Sequence, residues 1–117
     1  MPYLKEINPI IPVSDVIQSA NFFESVLGFD SELKESDIAI VRRDGACLRL
    51  VPVGDNVGQL ACYIVVEGID ELYRELEPQL KELPKGRVRA PFNQNYGMRE
   101  FHVIDLDSLL IFFGEPA

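Results

Sequence analysis

The sequence predicts an α+β fold made of two βαβββ modules in tandem, and three observations carry that reading. The order strand, helix, three strands occurs twice along the 117 residues. The segment Asp44-Gly45-Ala46-Cys47-Leu48-Arg49-Leu50 is echoed by Asp107-Ser108-Leu109-Leu110-Ile111-Phe112-Phe113. Each unit, about 5–53 and about 59–115, is too short to bury a good core alone, so the two must pack as a single domain over 1–117.

The elements follow in order. Ile7 to Val13 is apolar and β-branched but holds Pro9 and Pro12, so it reads as an edge or irregularly paired strand. Ser14-Asp15 offers an N-cap, and Val16, Ala20, Phe23 and Leu27 form one helical stripe ended by Gly28. Three short strands follow: Phe29–Leu33, Ile38–Arg42 and Ala46–Val51. Asp44-Gly45 between the last two signals a type I′ hairpin with positive φ at both positions. Gly54-Asp55-Asn56-Val57-Gly58 reads as a loop. Leu60–Val66 is a continuous apolar strand. Ile69, Leu72, Tyr73, Leu76, Leu80 and Leu83 then mark a helix that Pro78 should kink or split and that Pro84 and Gly86 stop. Val88–Ala90 is a weak strand, Pro91–Gly97 a polar loop, and Glu100–Ile104 with Leu109–Phe113 a last hairpin.

Composition narrows the function classes. An apolar fraction of 47% excludes wholesale disorder. A net charge of −8 repels phosphate backbones and anionic membranes, so neither a nucleic-acid nor a membrane partner is expected. No apolar run approaches the roughly 20 residues that cross a bilayer. The start, Met1-Pro2-Tyr3-Leu4-Lys5-Glu6, lacks the regions of a signal peptide, which points to the cytoplasm. Cys47 and Cys62 lie in apolar strands without metal or redox spacing and read as reduced buried thiols.

Two groups of residues resemble a known family. Pro12-Val13-Ser14-Asp15-Val16, Phe22-Phe23-Glu24 and Leu27-Gly28-Phe29 look like the opening strand, helix and LGF turn of the vicinal oxygen chelate superfamily, which includes glyoxalase I, extradiol dioxygenases and bleomycin resistance proteins. Tyr96-Gly97-Met98-Arg99-Glu100-Phe101, Asp105-Leu106-Asp107 and Phe113-Gly114-Glu115 resemble the GMREF…DPDG…FGE signature of its bleomycin-resistance-type members. Leu106 and Ser108 depart from it, and both fall in the hairpin turn. The resemblance covers essentially the whole chain. It implies an eight-stranded curved mixed sheet around a cleft with helices outside. It also implies a homodimer whose cleft is completed across the interface, with an N-terminal arm exchanged near Pro9.

Enzymes of this superfamily hold a metal with four ligands, and alignment places these at Asn8, Arg49, Ala61 and Phe112. Arg49 is a fixed cation, and Ala61 and Phe112 have no donor atom, so no metal and no cofactor are expected. The one histidine, His102, has two readings, a pocket hydrogen-bonder or a locally satisfied strand residue. Nothing in its neighbouring sequence forms a constellation with it, which favours the second. Glu100 belongs to the signature, and its parity leaves cleft and interface both open.

The expected ligand-binding set is Arg49, Val51, Ala61, Tyr63, Phe92, Tyr96 and Phe112. Residues 61, 63 and 65 share one strand face, so Tyr63 points into the cleft that the resemblance implies, as do Phe112 and, from the other module, Arg49 and Val51. Small Ala61 beside Tyr63 leaves room for a planar guest, and Tyr63 and Phe112 read as pocket rather than core. The loop from Phe92 to Tyr96 is open between a binding loop and a solvated turn.

The function expected from these residues and the resemblance is metal-free, non-enzymatic binding. The chain would sequester a planar or cationic antibiotic of the bleomycin type, with Arg49 tempering the case for a purely cationic guest. A metal-dependent glyoxalase-type lyase or isomerase, and a metabolite-sensing domain without a resistance role, are the alternatives.

Overall fold

The structure, a computed structural model, describes residues 1–53 and 58–117. The expected loop at Gly54-Asp55-Asn56-Val57 lies outside the described residues. In chain order the elements are β1 (Ile10–Val13), α1 (Val16–Leu27), β2 (Asp30–Lys34), β3 (Ala39–Arg43), β4 (Ala46–Pro52), β5 (Leu60–Val65), α2 (Ile69–Leu80), β6 (Val88–Asn93), β7 (Met98–Ile104) and β8 (Leu109–Pro116). The class is α+β, with two helices and eight strands among the described residues, in two four-stranded mixed sheets. These run β1-β4-β3-β2 and β5-β8-β7-β6, the same order in both halves of the chain. Each sheet has one parallel pair, β1 with β4 and β5 with β8, because a crossover through a helix returns the chain in the same direction.

Helix α1 is set by its ends. Asp15 is extended (φ −140°), and its carboxylate accepts from Gln18 N at 3.0 Å, while Gly28 closes the helix in the left-handed region at φ 74°. The predicted stripe of Val16, Ala20, Phe23 and Leu27 is buried against β3 and β4 residues such as Val41, Leu48 and Leu50. Phe23 is wholly buried and meets Phe29 edge-on, ring centroids 5.3 Å apart. Truncating such a ring to alanine costs roughly 3–5 kcal/mol.

Helix α2 packs Ile69, Leu76 and Leu80 into the same core as Phe101, Val103, Ile111 and Phe113 of sheet β5–β8. Its N-terminus has no side-chain cap of its own. Glu115, from the end of β8, accepts from Gly68 N and Ile69 N at 3.0 Å each and supplies the missing anion. Pro78 sits in the last turn, where the helix stops two residues later, and Leu83 lies beyond its end. The two helices pack against each other, and Ser14 Oγ donates to Asp107 Oδ1 at 2.7 Å, tying the first half of the chain to the second.

Three local expectations are corrected. The Asp44-Gly45 turn has a positive φ at Asp44 (51°) only, so it is not the type I′ turn that needs it at both positions. Phe92 and Asn93 are strand residues of β6 and not loop. Pro91 is accommodated there because β6 is an edge strand with a bulge between Arg89 and Phe92, where a missing N–H breaks no ladder. Strand β1 starts only at Ile10. Pro9 O still accepts from Arg49 N at 2.9 Å, but the residues before it are largely exposed.

Candidate functional site

In each sheet the strand pleat sends alternate side chains to the helix side and to an open side. On β8, Leu109, Ile111 and Phe113 are buried beneath α2, leaving Leu110, Phe112 and Gly114 on the other face. Register then defines two rows across that face. Tyr63, Phe112, His102 and Arg89 lie side by side, and Val65, Gly114, Glu100 and Phe92 form the next row.

The first row is an aromatic platform. Tyr63 stacks on Phe112 at 5.8 Å with 17° between planes, and His102 lies 4.3 Å from Phe112 and 5.2 Å from Phe92. Arg89 caps Phe92, its guanidinium carbon 3.5 Å from the ring centroid, a cation–π geometry. The second row holds the charge. Glu100 is 0% exposed, and each of its oxygens accepts two hydrogen bonds. Oε2 takes the hydroxyls of Tyr63 (2.8 Å) and Tyr96 (2.6 Å). Oε1 takes Gln94 Nε2 (3.0 Å) and His102 Nε2 (2.9 Å).

That arrangement decides ionisation. Burial pushes the Glu100 carboxyl up, but the donors from Tyr96, His102, Gln94 and Tyr63 together outweigh it and bring it down to about 2. The carboxylate therefore stays charged and acts as acceptor only. Tyr63 responds in the opposite sense. Desolvation first, then its bond to Glu100, push the phenol up to about 12. Tyr96 is raised too, chiefly by the same carboxylate. Both phenols are held protonated as donors, and the buried Glu100 anion is a fixed negative charge beside the aromatic row.

The open face of sheet β1–β4 differs in kind. Arg42 bonds Glu6 at 2.7 Å and Glu32 at 3.0 Å, and Arg49 Nε donates to Asn8 Oδ1 at 3.1 Å. Val51 shares that face by parity with Arg49. Arg49 and Val51 thus stand on one sheet, whereas Tyr63, Phe112, Phe92, Tyr96 and the exposed Ala61 stand on the other.

A groove of about 840 Å³ runs between the β3–β4 hairpin, from Arg43 to Leu48, and the stretch Cys62 to Gly68. Of the seven expected ligand-binding residues only Tyr63 borders it. Its walls include both cysteines, whose thiols are pushed up by burial, Cys62 to about 11, which leaves them poor nucleophiles.

The positions aligned with the superfamily's metal do not fit a metal. The one oxygen donor, Asn8 Oδ1, is committed to the Arg49 cation, and Ala61 and Phe112 bring no donor atom. Among the described residues no group of three His, Cys, Asp or Glu could hold an ion.

His102 is satisfied by a neighbouring side chain, Glu100 two residues away, but it also belongs to a constellation that its neighbouring sequence did not suggest. It is flanked by Phe92 and Phe112 and joined to Glu100. Glu100-x-His102 spacing on a strand puts both on one face, and that signal was available in the sequence.

Comparison with known proteins matches this architecture. No family model matches the chain. A bleomycin resistance protein of Geobacillus stearothermophilus is 29% identical over 124 residues, covering 90% of this chain and 92% of that protein. The crystal structure of a bleomycin-binding protein complexed with bleomycin superposes with a TM-score of 0.84 at 22% identity, covering 97% of this chain and all of that one (100%). A glyoxalase-related enzyme from Clostridium phytofermentans superposes at 0.79 with 17% identity, over 99% of this chain and 98% of that one. The fold is the one shared by bleomycin-binding proteins and a glyoxalase-related enzyme. In sequence the chain is similar to bleomycin resistance proteins. The fold hosts binders and enzymes alike, so function is argued from the site.

Proposed function

We propose that this chain is a metal-free antibiotic-binding protein that sequesters a planar or cationic compound of the bleomycin type without breaking a bond in it. One observation carries the reading. The open face of sheet β5–β8 is an aromatic platform, Tyr63 on Phe112 beside His102 and Phe92, bonded to a buried anion, Glu100, in the next row. Aromatic faces stack on a flat guest, and the neighbouring anion favours a positive one. The absence of donor atoms at Arg49, Ala61 and Phe112 supports binding over metal-assisted chemistry. Bleomycin resistance homologues and the likeness to a structure holding bleomycin point the same way.

The binding species is a homodimer in this reading. Arg49 and Val51 complete the cleft from the second copy, facing Ala61, Tyr63, Phe92, Tyr96 and Phe112 of the first. Support comes from the N-terminal arm, where Tyr3, Leu4 and Ile7 are 82%, 96% and 91% exposed, more apolar surface than a lone chain has reason to show. The working compartment is the cytoplasm. No helix among the described residues is long and apolar enough to cross a membrane.

Calorimetric titration with bleomycin tests the reading. Saturable binding is expected, weakened at least about tenfold by Phe112→Ala. An absence of both heat and thermal shift at large ligand excess would sink it. Stoichiometric nickel, zinc or iron in the purified protein would favour the lyase alternative, and sedimentation of a monomer would remove the dimer.

A further inference from the structure

We propose that His102 reads a hydrogen-bond donor on the guest. Its Nδ1 accepts an exocyclic amino N–H from a flat aromatic or heteroaromatic cation lying on the Tyr63–Phe112 platform. The inference rests on the reading above that this face is where the guest binds, and it names the chemistry selected there.

The argument begins with the tautomer. Glu100 is ionised and can only accept, so the 2.9 Å contact requires His102 Nε2 to carry the proton. In the neutral ring Nδ1 is then an acceptor. It makes no hydrogen bond among the described residues. The His102 side chain is 13% exposed, and Nδ1 is not among the buried polar atoms without a partner there, of which Asp105 Oδ2 is the one. The network's donors are spent elsewhere: the hydroxyls of Tyr63 and Tyr96 and the amide N–H of Gln94 all go to Glu100. Glu100 itself is sealed from any guest at 0% exposure. Its charge reaches the surface only through the imidazole it polarises and orients, as second-shell carboxylates do for metal-bound histidines.

Ring packing fixes the direction. Phe92 and Phe112 flank the imidazole and Glu100 holds its Nε2, so Nδ1 keeps one position beside Phe112. A guest stacked on the platform presents an edge N–H there. An anionic edge would meet a lone pair backed by a carboxylate. Arg89 is engaged over Phe92 and lies one strand further out.

The test compares two planar cationic dyes by fluorescence titration near neutral pH. Proflavine carries two free amino groups, and acridine orange is the same ring system with both amino nitrogens dimethylated. The wild-type chain should bind proflavine about tenfold more tightly, roughly the worth of one hydrogen bond. His102→Phe keeps a ring between Phe92 and Phe112 but no nitrogen, and should bind both dyes alike. His102→Gln keeps an N–H for Glu100 and an oxygen for the guest, and should retain most of the preference. Equal affinity of the wild type for the two dyes, binding of neither, or a preference that survives in folded His102→Phe would each overturn the assignment. The wild-type comparison needs no variant, so it decides even where His102→Phe does not fold. Bleomycin separates the two readings. Equal bleomycin affinity in wild type and His102→Phe leaves the sequestering role standing and overturns the His102 contact. Bleomycin that binds neither sinks the sequestering role, and the dyes then decide His102 alone.

Discussion

The hydroxyl of Tyr63 on β5 donates to Glu100 on β7 at 2.8 Å, and the strand it passes over, β8, has glycine at the crossing. Gly114 pairs with Glu100 on one side and with Val65 on the other, on the same open face. A Cβ at Gly114 would overlap the Tyr63 hydroxyl, stand 2.7 Å from its Cζ, and lie 3.1 Å from Glu100 Cγ. The glycine of the Phe113-Gly114-Glu115 motif is thus required by a close approach and not by backbone conformation.

Gly114→Ala should therefore lift Tyr63 off Glu100. The expected cost is about 1–3 kcal/mol of stability, the usual range for overpacking a fitted site. A spectroscopic consequence distinguishes it from a general loss of stability. In the wild type one phenol is held up at about 12 by burial and by Glu100. In the variant that phenol should return toward 10, which ultraviolet titration of phenolate absorbance reads directly. An unchanged tyrosine titration in a folded variant would contradict the bridge.

Glu100 predicts a pH dependence with a definite sign. Its carboxyl sits at about 2 in the folded chain against an ordinary value near 4.3 when unfolded. A depressed folded value contributes stability above the unfolded value, and that contribution is lost as pH falls through the window from about 4.3 to about 2. Glu100→Gln removes the charge and gives one oxygen's donors an N–H to face instead of an acceptor. The variant should lose about 3 kcal/mol in urea unfolding near neutral pH. The gap to wild type should narrow toward pH 2. A gap independent of pH would show that the site is held by packing and not by the anion.

Much of this was legible before the structure. The repeat, the Asp15 cap, the Gly28 stop and the buried stripe of α1 follow from periodicity and capping chemistry that act within a few residues. Tyr63 and Phe112 could be placed on one face because strand parity is local once a register is assumed. Glu100 was not legible as the centre of the site. Three of its four donors, Gln94, Tyr96 and His102, are near in sequence, but Tyr63 is 37 residues away and reaches it across β8, which lies between their strands. Phe92 was hidden by Pro91, which reads as a strand breaker and is harmless at an edge. Whether the two halves of the expected set, Arg49 and Val51 on one module and the rest on the other, face one cleft depends on how the modules pack, which no single-segment pattern encodes.

Gly28 offers a contrast to Gly114 in the other half of the molecule. It is left-handed at φ 74°, and an added Cβ would collide with the Arg43 guanidinium. Arg43 donates to Leu27 O at 3.1 Å and pairs with Glu75 of α2 at 2.8 Å, linking the α1 terminus to the second helix. Gly28→Ala should cost about 1–3 kcal/mol, combining the left-handed penalty with the displaced side chain. The tyrosine titration and the dye preference should stay as in wild type, because nothing on sheet β5–β8 is touched. A changed dye preference would mean that the helix junction and the aromatic platform are coupled.

Asp105 should behave opposite to Glu100. It is 2% exposed, and burial raises its carboxyl. Oδ1 accepts from Asp107 N at 2.9 Å and Leu109 N at 3.0 Å, which shapes the β7–β8 turn, while Oδ2 has no partner among the described residues. Its charge is thus half-solvated by the chain, against four donors at Glu100. A raised folded value means that ionisation above it costs stability, and that the cost disappears as pH falls through it. Asp105→Asn keeps an oxygen for the two backbone donors and removes the charge. The melting temperature near neutral pH should therefore rise or stay level, where most buried polar substitutions lower it. At acidic pH, with the wild-type carboxyl protonated, the two chains should melt together. A clear drop at neutral pH would show that the ionised Oδ2 is held by a group that the Asp105–Leu109 turn does not itself supply.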